Sequence, residues 1–140
     1  IYKDRGLNQC ENIQFVEYIN DMPLKMAAAD VVVCRAGANT VSELALMKKA
    51  AIFIPSPNVT DNQQFKNAEV IAARGGALVI EEKDITREKL GGMIVSLLDS
   101  AEKRREMGEK IYGFAVPDAN RRIYEDILHL IADKRSKKVK

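Results

Sequence analysis

The chain has no tryptophan, a single histidine and two cysteines, and aromatic residues fill only 6% of its 140 positions. Each shortage removes a class of function. Cys10, in a polar stretch, and Cys34, at the end of an apolar run, are too few for the disulfide framework of a small secreted scaffold. A reducing, cytoplasmic setting fits them better. With His129 the lone histidine, no Cys/His cluster has metal-ligand spacing, and no Ser-His-Asp set or carboxylate pair stands out. No metal, no cofactor and no catalytic residue are therefore assigned. His129, within "ILHLI", reads as a core-edge residue, and the five methionines as core filler.

Long apolar runs are missing too. None approaches the roughly 20 residues that span a bilayer, and no signal peptide is visible. Charge of one sign is also lacking. Twenty-two Lys and Arg face 20 Asp and Glu, for a net charge of +2, too mild to argue for nucleic acid. Only the end departs from this balance: Lys134, Arg135, Lys137, Lys138 and Lys140 make a basic tail over 134–140. A solvated end is its simplest reading, and contact with an anionic membrane surface is the alternative.

What is present is 46% hydrophobic residues in a chain of single-domain length. It opens without methionine, and "IYKDRG" reads as the end of a helix, so the expectation is an N-terminally truncated piece of a longer protein. "IQFVEY", Ile13 to Tyr18, alternates like a strand. A short helix follows to about Ala28, with Asp21 placed to cap it and Pro23 in its first turn. Asp30 to Cys34 reads as a strand covered on both faces, and Thr40 to about Lys48 as a helix. "AAIFIP" is a third strand, stopped by the turn-rich "PSPNVTDN". Gln63 to Arg74 is a helix capped by Asp61 or Asn62 and ended at Gly75-Gly76. "ALVI" is a fourth strand. Helices then run from "DIT" towards Leu98, from Ala101 to about Phe114, and from Pro117 onward.

Alternating strands and helices predict an α/β fold with a parallel sheet and helices on both faces. Ligands of such sheets bind at the carboxyl ends of the strands. That rule singles out the loops Ile19 to Met22, Arg35 to Thr40 and Ser56 to Asn62.

"RAGANTVSE", Arg35 to Glu43, admits two readings. Thr40 and Glu43 fit a capping box, which needs no ligand. The same helix start, with small Gly37 and Ala38 before it, also suits a phosphate, and Glu43 a pair of vicinal hydroxyls. Arg35 either neutralises a phosphate or pairs with a carboxylate. In "TDNQQFKNA", Gln63, Gln64 and Asn67 offer amides that donate and accept, as sugar hydroxyls require, or simply face solvent.

The blocks "VEYINDMPLKMAAADVVVCRAGANTVSELA", "IFIPSPNVTDNQQFKNAEVI" and "VPDANRRI" resemble the C-terminal, donor-binding domain of the MurG family of peptidoglycan glycosyltransferases. The resemblance implies a Rossmann-like fold, the C-terminal half of a GT-B enzyme, with residues 1–133 as part of the UDP-sugar domain. It implies UDP-N-acetylglucosamine as donor. The backbone of Ile19, with Tyr18, would meet the uracil. Ala38, Asn39 and Thr40 would face the diphosphate and sugar, with Arg35 nearby, and Glu43 would take the ribose. Gln63, Gln64 and Asn67 would read the sugar. The lipid-linked muramyl pentapeptide acceptor and the catalytic base would belong to an upstream domain, working at the inner face of the cytoplasmic membrane. That domain and a Gly-rich loop would precede Ile1, so this chain alone would bind donor weakly and not catalyse. Relatives of that family often carry Gly and Pro where this chain has Lys48 and Ala50, which draws attention to that turn. They often have His at the place of Gln63. Two other readings stand beside this one: a small stand-alone UDP-N-acetylglucosamine transferase subunit needing a membrane partner, and a non-enzymatic interaction domain whose polar helix starts are only caps.

Overall fold

The structure, a computed structural model, describes residues 11–138. The helix end expected at "IYKDRG", Cys10 and Lys140 lie outside them. Three strands, β1 (Val31–Cys34), β2 (Ala50–Phe53) and β3 (Leu78–Val79), form a parallel sheet in the order β1-β2-β3. Among the described residues there are six helices: α1 (Met22–Ala28), α2 (Ala38–Leu46), α3 (Gln63–Ala73), α4 (Arg87–Leu98), α5 (Ala101–Tyr112) and α6 (Ala119–Lys138). The predicted α/β architecture is the one present.

The central strand explains the layering. All four residues of β2 are buried, and a strand sends alternate side chains to opposite faces. Ala51 and Phe53 pack with Leu44 and Ala45 of α2 and Ala68 and Ile71 of α3. Ala50 and Ile52 pack on the other side with Leu97 of α4 and Met107 of α5. Hence the continuous apolar run: neither face meets water. Truncating a fully buried ring such as Phe53 to Ala costs about 3–5 kcal/mol in such a core.

β1 departs from expectation. Val33 is 40% exposed, so this strand is covered mainly on one side. The strand expected at Ile13 to Tyr18 is absent as well. Those residues form no ladder, and Val16 and Tyr18 are 53% and 77% exposed. Alternation supplies an apolar face but not a hydrogen-bonding edge, and no described residue pairs with the outer edge of β1.

Helix ends follow local chemistry. Thr86 and Ser100 cap α4 and α5, each hydroxyl accepting from a backbone N–H three residues on at 3.2 Å. α3 ends as expected at Gly75, whose φ of +71° suits glycine. The N–H groups of Gly75 and Gly76 donate to the carbonyls of Ala72 and Ile71. α2 ends in the same motif, but Lys48 holds the left-handed position at φ 53°. Its ammonium pairs with Glu109 at 2.9 Å and lies over the Tyr112 ring. α5 presses on this turn so closely that a side chain at Gly108 would meet the Lys48 carbonyl.

α6 carries an apolar stripe, Ile123, Ile127, Leu130 and Ile131, at helical spacing and 46–63% exposed. His129, expected at the core edge, is exposed because no described element covers this helix. The backbone of Lys134 to Lys138 forms its last turns.

Candidate functional site

The carboxyl ends of β1 and β2 each lead into a helix, and the two helix starts lie side by side. After β1 the chain enters α2 through Gly37, extended at φ −68° and ψ 146°. The first bond of this helix runs from the Val41 N–H to the Gly37 carbonyl at 2.9 Å. The N–H groups of Ala38, Asn39 and Thr40 therefore have no acceptor within the helix, and no side chain caps them. This corrects the capping-box expectation. Thr40 sits three residues inside the helix that Gly37 begins, so its hydroxyl is not at the cap. The Glu43 carboxylate is exposed and makes no hydrogen bond or ion pair among the described residues. A side chain added at Gly37 would meet only the Thr40 hydroxyl, at 3.9 Å, so the approach to these N–H groups is open.

After β2, a loop and a 3-10 turn (Thr60–Asn62) lead into α3. Neither Asp61 nor Asn62 caps it by a side chain, contrary to expectation; both hold left-handed backbone, at φ 55° and 53°. That geometry turns the chain into the helix. The amides of α3 then join the two loops. Asn67 Nδ2 donates to the Ala36 carbonyl at 3.2 Å, and Gln63 Nε2 donates to Asn67 Oδ1 at 3.2 Å. Gln64 Oε1 accepts from the Ser56 N–H at 2.9 Å, which leaves the Gln64 NH2 as the donor that faces outward from that contact. Between the two helices lies a cleft of about 440 Å³ lined by Ala38, Ser42, Gln63, Asn67 and Phe114.

Of the residues read from the sequence, Ala38, Gln63 and Asn67 thus line one cleft, and Asn39 and Thr40 share its helix start. Glu43 lies beyond the first turn of α2, in which the sequence reading placed it, and outside the cleft lining. Tyr18 and Ile19 do not line it. They precede α1, and the loop from Ile19 to Met22 follows no strand. Arg35 takes the second of its two roles: Nη1 donates to Glu82 Oε2 at 2.7 Å and to the carbonyls of Ile54 and Pro55 at 3.2 Å. Glu82 and Phe114 were not anticipated. Glu82 sits in an ordinary charge cluster, and Phe114 follows a helix remote in sequence, so neither carries a local signal.

Cys34 ends β1 below this cleft. Burial pushes its thiol up to about 11, so it is protonated at neutral pH and no nucleophile. Among the described residues no cluster of His, Cys, Asp and Glu is arranged to hold a metal ion. A larger cavity of about 770 Å³ lies between α3 and α4, lined by Phe65, Val79, Ile80 and Met93 with Glu69 and Asp84 at its rim. It contains none of the anticipated residues and no uncapped helix start. The smaller cleft brings Ala38, at the uncapped start of α2, together with the amides of Gln63 and Asn67, with the unpaired Glu43 further along the same helix.

Residues 2–123 match the model of the glycosyltransferase family 28 C-terminal domain. The chain belongs to this family. It is 39% identical over 90% of its length to a UDP-N-acetylglucosamine–N-acetylmuramyl-(pentapeptide) pyrophosphoryl-undecaprenol N-acetylglucosamine transferase of Flavobacterium psychrophilum. It is 41% identical over 96% of its length to the enzyme of that name from Acetivibrio thermocellus. The crystal structure of Acinetobacter baumannii MurG superimposes on 84% of the chain with a TM-score of 0.76 and 33% identity. The chain spans only about a third of these relatives, 34% and 36% of the two enzymes and 33% of the crystallised chain. The parallel sheet described above is accordingly the C-terminal half of a GT-B fold. No helix among the described residues is long and apolar enough to cross a membrane.

Proposed function

We propose that this chain is the donor-binding part, over residues 1–133, of an inverting glycosyltransferase. The enzyme moves N-acetylglucosamine from UDP-N-acetylglucosamine to undecaprenyl-diphospho-muramoylpentapeptide, converting lipid I to lipid II in peptidoglycan synthesis. The observation that carries this reading is the start of α2. Three uncapped N–H groups open this helix across a cleft from the amides of α3, and an unpaired Glu43 follows on the same helix, in a chain about 40% identical to enzymes named for this reaction.

Each feature has a task in that chemistry. The N–H groups of Ala38, Asn39 and Thr40, with the positive end of the helix dipole, hold the diphosphate. The Glu43 carboxylate accepts from the two ribose hydroxyls, and Gln63, Gln64 and Asn67 bind the sugar hydroxyls. Ile19 and Tyr18 form the uracil pocket. When the acceptor hydroxyl attacks the anomeric carbon, negative charge grows on the departing UDP, and preorganised donors favour that charge over the ground state. The acceptor site and the base belong to the upstream part of the longer enzyme, which works as a cytoplasmic, peripheral protein at the inner face of the cell membrane. The basic end of α6 suits that anionic surface.

An amide-shift titration of the chain with UDP-N-acetylglucosamine, with UDP-glucose as control, tests the donor site. The expected shifts fall on Ile19, Arg35 to Glu43 and Gln63 to Asn67 and are stronger for the N-acetyl sugar. Glu43→Ala should weaken UDP binding about tenfold, the size of one charge-assisted contact, and leave the melting temperature unchanged. Equal affinity in variant and wild type removes Glu43 from the site. A folded chain that ignores both nucleotides means either that the upstream Gly-rich loop is indispensable or that the helix starts are only caps, and the same titration on a chain extended upstream separates the two.

A further inference from the structure

We infer that Glu82 is a positioning residue of the donor cleft, acting through Arg35 on the loop that launches α3. The inference rests on the donor reading above and adds to it a residue that touches no ligand. The backbone ladder between β1 and β2 ends where the Ile54 N–H donates to the Cys34 carbonyl at 2.8 Å. Beyond that point the chain after β2 turns away, and the carbonyls of Ile54 and Pro55 meet no backbone donor of β1. Arg35 takes over there. Its Nη1 spans both carbonyls at 3.2 Å while Glu82 Oε2, from the segment after β3, holds the same nitrogen at 2.7 Å. One guanidinium thus ties the ends of all three strands together.

The next contact along the loop is the Ser56 N–H on Gln64 Oε1. Only six residues then separate Ser56 from Gln63, and two of them, Asp61 and Asn62, hold left-handed backbone. A loop gripped at its first residues and bent at its last has little freedom to shift α3. The placing of Gln63, Gln64 and Asn67 across from α2 therefore depends on that grip. Both partners of the ion pair are about half exposed, at 50% and 48%, so solvent screens the pair and its worth to folding is small. Its effect is on geometry. Without Glu82 the guanidinium has a free path to water, and the two carbonyls lose their donor.

The test uses the intact chain and its Glu82→Ala, Glu82→Gln and Arg35→Lys variants, with amide spectra recorded without ligand and during titration with UDP-N-acetylglucosamine. In Glu82→Ala we expect displaced signals for the Ser56 N–H and for the side-chain amides of Gln63, Gln64 and Asn67 before any ligand is added. Affinity should fall about 3- to 10-fold, with an unchanged melting temperature. Glu82→Gln keeps an acceptor oxygen and should restore most of both. Arg35→Lys should behave like Glu82→Ala, because its ammonium stands one bond short of the Nη1 position that meets all three acceptors. Unmoved loop signals and unchanged affinity in Glu82→Ala overturn the inference. A wild-type chain that ignores the nucleotide even when extended upstream defeats the donor reading instead, while the ligand-free spectra still report on the latch, so the two failures are told apart.

Discussion

Two pairs of the described helices start in two different ways, while α1, where Asp21 gives no side-chain cap against expectation, stands outside both pairs. α4 and α5 begin at Thr86 and Ser100, whose hydroxyls accept from the backbone of Lys89 and Lys103. α2 and α3 begin at Gly37 and Asn62 with no side-chain cap at all. The capped pair closes its own N–H groups and serves the fold. The uncapped pair follows β1 and β2, next to the amide relay from Gln63 to Ala36. The first N–H groups of α2 are left open, whereas α3 continues from the 3-10 turn and its first N–H, on Gln63, donates to the Thr60 carbonyl. A cap is worth about 1 kcal/mol to a helix, so leaving two helices without one is a cost that a bound anion can offset.

The sharpest way to break this contrast is to cap α2 artificially. Gly37→Asp has room and an ordinary φ, and its carboxylate would take the N–H of Asn39 or Thr40. We expect UDP affinity to drop by at least about tenfold, through blocked donors and like-charge repulsion, with equal or slightly higher thermal stability. Calorimetric titration beside a melting curve reads both. If the variant binds as the wild type does, the open N–H groups are not the diphosphate site.

The reverse change comes next in size. Thr86→Ala and Ser100→Ala should each lose about 1 kcal/mol in urea denaturation and leave nucleotide binding untouched. Loss of binding in either would erase the division between structural and ligand-facing starts.

The last effect, confined to alkaline pH, concerns the strand end that leads into α2. Burial raises the Cys34 thiol to about 11 from an ordinary value of 9.0. The unfolded chain therefore loses this proton first as pH rises. The stability that Cys34 contributes is complete below about pH 9 and disappears as pH climbs through about 11. Melting curves across that window should fall more steeply for wild type than for Cys34→Ala. Parallel curves would mean that the thiol is not shielded.

Much of this arrangement was legible in the chain. "AAIFIP" reads as a strand and Gly75-Gly76 as the end of α3, and both are present, but the cover on both faces expected for Asp30 to Cys34 belongs to Ala50 to Phe53 instead. The failures are equally physical. Ile13 to Tyr18 alternates as a strand does, but a strand exists only with a partner edge, and alternation carries no information about one. Thr40 and Glu43 have capping-box spacing, yet Gly37 begins the helix three residues earlier and leaves the box without a terminus to cap. Lys48 occupies a left-handed position usually given to glycine, held by Glu109 and Tyr112 from an element 60 residues away.

For the site, residue types and order by themselves determined which loops to look at, and the likeness of "RAGANTVSE" and "TDNQQFKNA" to a family supplied their tasks. Those features are local, because helix starts, small residues and amides are written in short windows. Only the tertiary structure decided that Asn67 reaches the Ala36 carbonyl, that Arg35 binds Glu82 and two strand-end carbonyls, and that Glu43 is left unpaired. Each of these depends on which side chains the packing of α2, α3 and the strand ends brings within about 3 Å, the range in which a hydrogen bond has strength. Sequence distance does not encode that range.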